Sequence, residues 1–207
     1  MHIRCILIRH SLTAGNEQKR YTGCGTDESL SPAGIGRINA ERDKMSPLLS
    51  DVETVFTSPM QRTKETAKLL FPEKTYHVID DLTEIGFGRF EGKTYEELQD
   101  DMQYREWIGS GGTVTVSGVE SRESFCDRSF RGFLAALSRS GGKPFCIVCH
   151  GGNIMAIMSR LTGRDYYTFQ VQPLNGYILD LETEDERILD MSYVRITDGD
   201  PFGSSHR

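Results

Sequence analysis

Short apolar runs alternate with longer segments of helical period along most of this chain, and that alternation predicts an α/β architecture built on a mostly parallel sheet covered on both faces. The runs fall at residues 3–8, 53–57, 76–79 and 145–149, and two more, 176–182 and 187–194, read as a terminal hairpin around the acidic turn Glu182–Glu186. Helices are expected over about 31–49, 58–71, 121–139 and 152–161. Two of them begin on Ser-Pro, at Ser31-Pro32 and at Ser58-Pro59-Met60-Gln61, where serine reads as the cap and proline as a first-turn residue. The first carries Ile35, Ile38, Met45 and Leu48 or Leu49 as its apolar stripe, and the third carries Phe125, Ser129, Phe133 and Leu137.

Between these elements lie long stretches without period. Residues 11–29 are too polar and irregular for anything but a loop, and Leu82–Gly92 has three glycines among apolar residues, which suggests a tight loop. Residues 94–109 favour one or two short helices, and 93–120 read as a small helical and loop insertion over a site. One domain over 1–197 with a frayed tail, 198–207, is the expected organisation.

A net charge of −6 argues against nucleic-acid or acidic-membrane partners, both of which need a basic surface. No apolar run approaches the roughly 18 residues of a membrane span, so the chain reads as cytoplasmic. The cysteines Cys5, Cys24, Cys126, Cys146 and Cys149 are odd in number and mostly in apolar surroundings, which predicts reduced thiols. Cys146-x-x-Cys149-His150 formally matches a haem-attachment signature. However, residues three apart on a strand point to opposite faces, so haem or redox chemistry there is not expected.

In an open α/β sheet, ligands bind outside the carboxyl ends of the strands. Four basic groups fall at that edge: Arg9 and His10 after strand 3–8, Arg62 one turn beyond strand 53–57, and His150 directly after strand 145–149. With helix N-termini beside them they form a ready phosphate pocket. Two histidines and two arginines without a serine nucleophile suggest that an imidazole attacks phosphorus while the arginine forks neutralise phosphoryl charge. The leaving alkoxide then needs a proton donor; Glu84 is the best-placed carboxylate and Glu91 its structural competitor. A zinc site on His10 and His150 would need a third ligand, which the spacing does not supply, so no metal is expected.

The segments Leu7-Ile8-Arg9-His10-Ser11-Leu12-Thr13 with Asn16, Arg20-x-x-Gly23, Leu30-Ser31-Pro32-Ala33-Gly34, Ser58-Pro59-Met60-Gln61-Arg62-Thr63 with Thr66-Ala67, Glu84-x-x-Phe87-Gly88-x-Phe90-Glu91-Gly92 and Val148-Cys149-His150-Gly151-Gly152 resemble the histidine phosphatase superfamily in its phosphoglycerate mutase-like branch. The resemblance implies a three-layer α/β/α sandwich around a mixed six-stranded sheet with one antiparallel strand. It implies His10 as the phosphorylated nucleophile, with Arg9, Arg62, His150, Asn16 and Gly151 holding phosphate. Glu84 would protonate the leaving group and then activate water, and neither metal nor cofactor is implied. The family usually has Gly, and often Glu, where this chain has Ser11 and Leu12, so pocket shape or substrate preference is expected to differ, with activity retained.

The leading expectation is a metal-independent phosphomonoesterase acting on a small phosphorylated metabolite, because the 93–120 segment is brief for enclosing a bisphosphate reaction. Within the family, alpha-ribazole phosphatases and fructose-2,6-bisphosphatase-like enzymes are similar in length and motif, and nothing selects a leaving group. A phosphoglycerate mutase is the first alternative and a non-catalytic phosphate-binding module the second. The latter predicts loss of one of His10, Arg62, Glu84 and His150, all of which are present. Oligomeric state is not legible.

Overall fold

A computed structural model describes residues 1–185, 187–197 and 205–206. Six strands, β1 (His2–Arg9), β2 (Thr54–Thr57), β3 (Tyr76–Val78), β4 (Phe145–Cys149), β5 (Gly176–Glu184) and β6 (Arg187–Ile196), form one sheet, and a two-residue strand β7 (Ser205–His206) adds to its edge. The order is β3-β2-β4-β1-β5-β6-β7. Pairs β3/β2, β2/β4 and β4/β1 are parallel, whereas β5 runs against both β1 and β6, so β5 alone among the first six opposes the rest. The expected mixed sheet is therefore present, with a seventh short strand that the sequence did not suggest. Of the tail expected to fray, residues 198–204 and 207 lie outside the described residues, and Ser205–His206 pairs with β6.

Strict alternation along the central strands divides the core into two layers. Ile6, Ile8, Cys146, Val148 and Val55 face α2 (Pro32–Leu49) and α3 (Gln61–Leu70), which contribute Ile38, Met45, Leu48, Leu49, Ala67 and Leu70. Cys5, Leu7, Phe56, Ile147 and Cys149 face α6 (Arg122–Arg139) and α7 (Gly151–Thr162), which contribute Phe133, Ala136, Leu137, Ile154, Ile157 and Met158. Cys146 and Cys149 thus lie on opposite faces, as the strand period requires, and all five cysteines are free thiols.

Some local expectations need correction. Ile35 is 40% exposed rather than part of the apolar stripe, whose place near the start of α2 is taken by the buried Gly34. Residues 11–29 contain a helical turn, α1 (Ala14–Glu17), held by a capping box between Thr13 and Asn16. Residues 95–109 form α4 (Tyr95–Leu98) and α5 (Met102–Gly109), and Phe90, Leu98, Tyr104, Trp107, Val116 and Val119 build a small apolar cluster of their own there. No described residue between 109 and 121 is in a strand.

Candidate active site

Strand β1 ends at the middle of the sheet and hands its last residues to the carboxyl edge. The Arg9 N–H donates to the Asn175 carbonyl at 3.0 Å and the His10 N–H to the Cys149 carbonyl at 2.9 Å, so β5 and β4 pin this corner from both sides. His10 is 3% exposed and its Nδ1 lies 2.6 Å from the Ser11 carbonyl oxygen. A carbonyl can only accept, so Nδ1 carries the proton and Nε2 keeps its lone pair in the neutral ring. Burial pushes the His10 pKa well below its ordinary 6.5, and the positive charges of Arg62 and Arg9 push it the same way. The ring is thus uncharged near neutral pH.

The ring of His150, the residue preceding α7, meets that of His10 edge-on with centroids 5.1 Å apart. Both of its nitrogens are committed. Arg62 Nε donates to Nδ1 at 3.3 Å, so Nε2 bears the proton and donates to Ser58 Oγ at 2.8 Å. Ser58 in turn lies 2.9 Å from Thr63 Oγ1, whose hydroxyl reaches the Met60 carbonyl at 2.8 Å. This chain corrects the reading of Ser58 as a helix cap. The residue before α3 is Met60, with no side-chain cap, and Ser58 spends its hydroxyl on the histidine. Arg62 is fully buried, its Nη1 donating to the Thr26 carbonyl at 2.8 Å and its Nη2 to the Gly23 carbonyl at 3.2 Å.

Glu91 holds the loop that holds Arg62. Its carboxylate accepts from the Gly23, Gly25 and Phe87 N–H groups and from Thr26 Oγ1, at 3.0 to 3.2 Å. It is the structural member of the carboxylate pair. Glu84 differs in every respect that matters for proton transfer. It is 9% exposed, accepts from the Ile85 N–H at 2.9 Å and the Gly152 N–H at 3.4 Å, and burial raises its pKa above the usual 4.5 against the opposing pull of those N–H groups, Arg62 and Arg9. Gly152 is required there, because a Cβ would stand 2.4 Å from Glu84 Oε1 and 2.9 Å from the Phe125 ring.

A cavity of about 310 Å³ opens above these groups, lined by Arg9, Asn16, Glu84 and Gly151 among the anticipated residues. His10, Arg62 and His150 are buried and are not among the residues that line it. Arg9 Nη1 donates to the Val171 carbonyl at 2.7 Å, but its buried Nε has no partner, an unspent donor beside the start of α7. Gly151 is the first residue of that helix, where an N–H has no internal acceptor. Asn16 commits its Oδ1 to the Thr13 N–H at 3.2 Å, so what it can offer a ligand is its amide N–H₂. Ser11 is buried, and its hydroxyl donates to the Gly34 carbonyl at 2.8 Å.

Of the other wall residues, Tyr21 and Trp107 fall in the stretches 11–29 and 93–120, whose conformation the sequence does not give, whereas Phe87, Arg122, Tyr166 and Tyr167 come from three further segments with no common spacing that marks them. Ser58 and Asn153 were missed too. The latter accepts from the His150 N–H at 3.3 Å and donates to Ser129 Oγ at 2.9 Å, fixing the turn into α7. No group of three or more His, Cys, Asp or Glu side chains among the described residues is arranged to hold a metal. No helix among them is long and apolar enough to cross a membrane.

The arrangement gathers two histidines and two arginines at one edge of the sheet, and comparison places the chain in a family. The chain belongs to the histidine phosphatase superfamily (branch 1), whose profile matches residues 5–193. A phosphoserine phosphatase from Entamoeba histolytica, solved in complex with 3-phosphoglyceric acid, superposes with a TM-score of 0.73 at 28% identity, covering 87% of this chain and 90% of that one. The alpha-ribazole phosphatase of Shigella flexneri gives a TM-score of 0.73 at 27% identity over 89% of this chain and 93% of that one. An acid phosphatase of Mycobacterium tuberculosis is 28% identical over 160 residues, 76% of this chain and 74% of its own length.

Proposed function

We propose that this protein is a metal-independent phosphomonoesterase that hydrolyses a small phosphate ester through a phosphohistidine at His10. The observation that carries this reading is the His10 ring: uncharged, with Nδ1–H locked on the Ser11 carbonyl and Nε2 left as the nucleophile, beside two arginines. In the first step Nε2 forms a bond to phosphorus while the ester P–O bond breaks, and protonated Glu84 gives its proton to the departing oxygen. The unspent Arg9 Nε, Arg62, the Asn16 amide and the Gly151 N–H share the charge that builds on the phosphoryl oxygens, and His150 joins them by turning its Nε2–H from Ser58 to the phosphoryl group. In the second step Glu84, now a carboxylate, takes a proton from water, whose oxygen bonds to phosphorus as the P–N bond breaks, and inorganic phosphate leaves. The cavity of about 310 Å³ suits a small metabolite.

The test is phosphate release from a panel of small esters in the presence of chelator, comparing wild type with His10→Ala and following acid-labile phosphoprotein. Release with a phosphorylated His10, both lost in the variant, is the expected result. Release that persists in His10→Ala, or that requires added divalent metal, overturns the mechanism; interconversion of 3- and 2-phosphoglycerate without net release identifies a mutase instead.

A further inference from the structure

The cavity carries more positive charge than one phosphoryl group needs. Three arginines line it, Arg9, Arg20 and Arg122. Arg20 is neutralised, its Nη1 lying 3.0 Å from Glu97 Oε2 and 2.6 Å from the Gly92 carbonyl, with Nε on Gln18 at 2.8 Å. Arg9 belongs to the phosphoryl end. Arg122 has no carboxylate at ion-pair distance among the described residues; its Nη1 donates to the Gly111 carbonyl at 2.8 Å and its guanidinium lies 5.6 Å from the centroid of the Tyr166 ring. Its position also breaks a local rule. Ser121 caps α6 and Arg122 is the first helical residue, where the helix dipole favours an acid over a base. An unbalanced cation placed against its local preference, stacked on a tyrosine in a cavity wall, has the character of a ligand contact.

Tyr166 also makes a second contact. Its hydroxyl reaches the Gly152 carbonyl at 3.4 Å, beside Glu84, while its ring carries Arg122. Tyr166 therefore bridges Arg122 to the turn beside Glu84, and Tyr21, Phe87 and Trp107 line the same cavity with aromatic surface. Building on the phosphatase reading, we infer that Arg122 determines specificity by binding a second anionic group, carboxylate or phosphate, on the leaving alcohol a few bonds from the ester oxygen. The substrate is then a short, doubly anionic phosphate ester. Among the cavity arginines, Arg122 supplies charge where Arg20 cannot.

The experiment compares kcat/KM on phenyl phosphate, 3-phosphoglycerate and propane-1,3-diol bisphosphate in wild type, Arg122→Leu, Arg122→Lys and Tyr167→Phe. Loss of a charge-assisted contact predicts a fall of about ten- to a hundred-fold on one or both doubly anionic esters relative to phenyl phosphate, expressed in KM, with partial recovery in Arg122→Lys. A carboxylate-selective or phosphate-selective loss names the second group. Tyr167 Oη donates to the same Gly111 carbonyl at 2.9 Å, so Tyr167→Phe weakens the loop anchor without removing charge. An equal loss on all three esters in Arg122→Leu, or the same selective loss in Tyr167→Phe, overturns the assignment while leaving the phosphatase intact. Failure of wild type to turn over any phosphate ester, phenyl phosphate included, overturns both readings.

Discussion

Glu84 and His10 are tuned in opposite directions by one cause. Burial disfavours the charged form of each, so the carboxyl keeps its proton to higher pH and the imidazole loses its own at lower pH. Burial thus moves both toward the forms a nucleophile and a proton donor need at one pH, the imidazole neutral and the carboxyl protonated. The expected kcat/KM profile rises as His10 deprotonates, at a pH below 6.5, and falls as Glu84 ionises, at a pH above 4.5. Glu84→Gln should lower kcat by about 10² to 10⁴ on alkyl esters and remove the falling limb. It should spare p-nitrophenyl phosphate in the first step and let phosphohistidine accumulate, which rapid-quench trapping measures. Gly152→Ala should mimic it by displacing the carboxyl, since the added Cβ meets Glu84 Oε1 at 2.4 Å. The basic residues at this scale were legible because each follows an apolar run. Ser58 was not, because Ser-Pro before a helix has the same appearance whether its hydroxyl caps the helix or holds a histidine 92 residues away.

Among the elements, β5 bears the tightest constraint. Gly176 crosses β1 so closely that a Cβ would lie 1.7 Å from the Leu7 carbonyl oxygen, a backbone atom that cannot turn aside. Gly176→Ala should destabilise the fold by about 1–3 kcal/mol, the range for overpacking a closed interior, and a lowered denaturant midpoint with unchanged slope would show it. Because the residue just before Gly176 is Asn175, whose carbonyl anchors the Arg9 N–H, activity should fall with stability. Elements with strong periodicity were legible: β4 has the bounds expected from its apolar run, and α6 starts within a residue of its expected cap. Short elements held by side chains were not. The turn α1 rests on the Thr13–Asn16 box inside a polar stretch, and Ile35 lies on the exposed side of α2 because Gly34 packs against the Leu12 carbonyl instead.

For the whole molecule, the two buried histidines make folding acid-sensitive. Burial first, then Arg62, lowers both pKa values, so the unfolded chain takes up protons that the folded chain refuses. Their contribution is complete above about pH 6.5, the unfolded value, and is lost as pH falls through the folded values. Glu84 has the opposite sign, its contribution fading as pH rises through its raised pKa, but it is one group against two. Thermal midpoints should therefore drop on acidification below pH 6.5, less steeply in His10→Gln; a flat profile would contradict the burial of both rings. Thiol labelling gives a second global check: Cys24 should react in the folded protein, while Cys5, Cys146 and Cys149, all fully buried, should wait for unfolding. The sandwich was legible from alternation because both faces of the sheet need covering. The cavity walls were not, because loops from distant parts of the chain meet there by tertiary packing alone.

The strand order carries one more consequence. His10 directly follows β1, yet the strands that flank β1 comprise residues 145–149 and 176–184, far along the chain from it. Until both β4 and β5 have docked on β1, His10 and Arg9 stand at an open sheet edge, lacking the Cys149 carbonyl, the Asn175 carbonyl or both. Closing the sheet around β1 joins residues far apart in the chain, so it is expected to be slower than forming any helix, whose contacts are local.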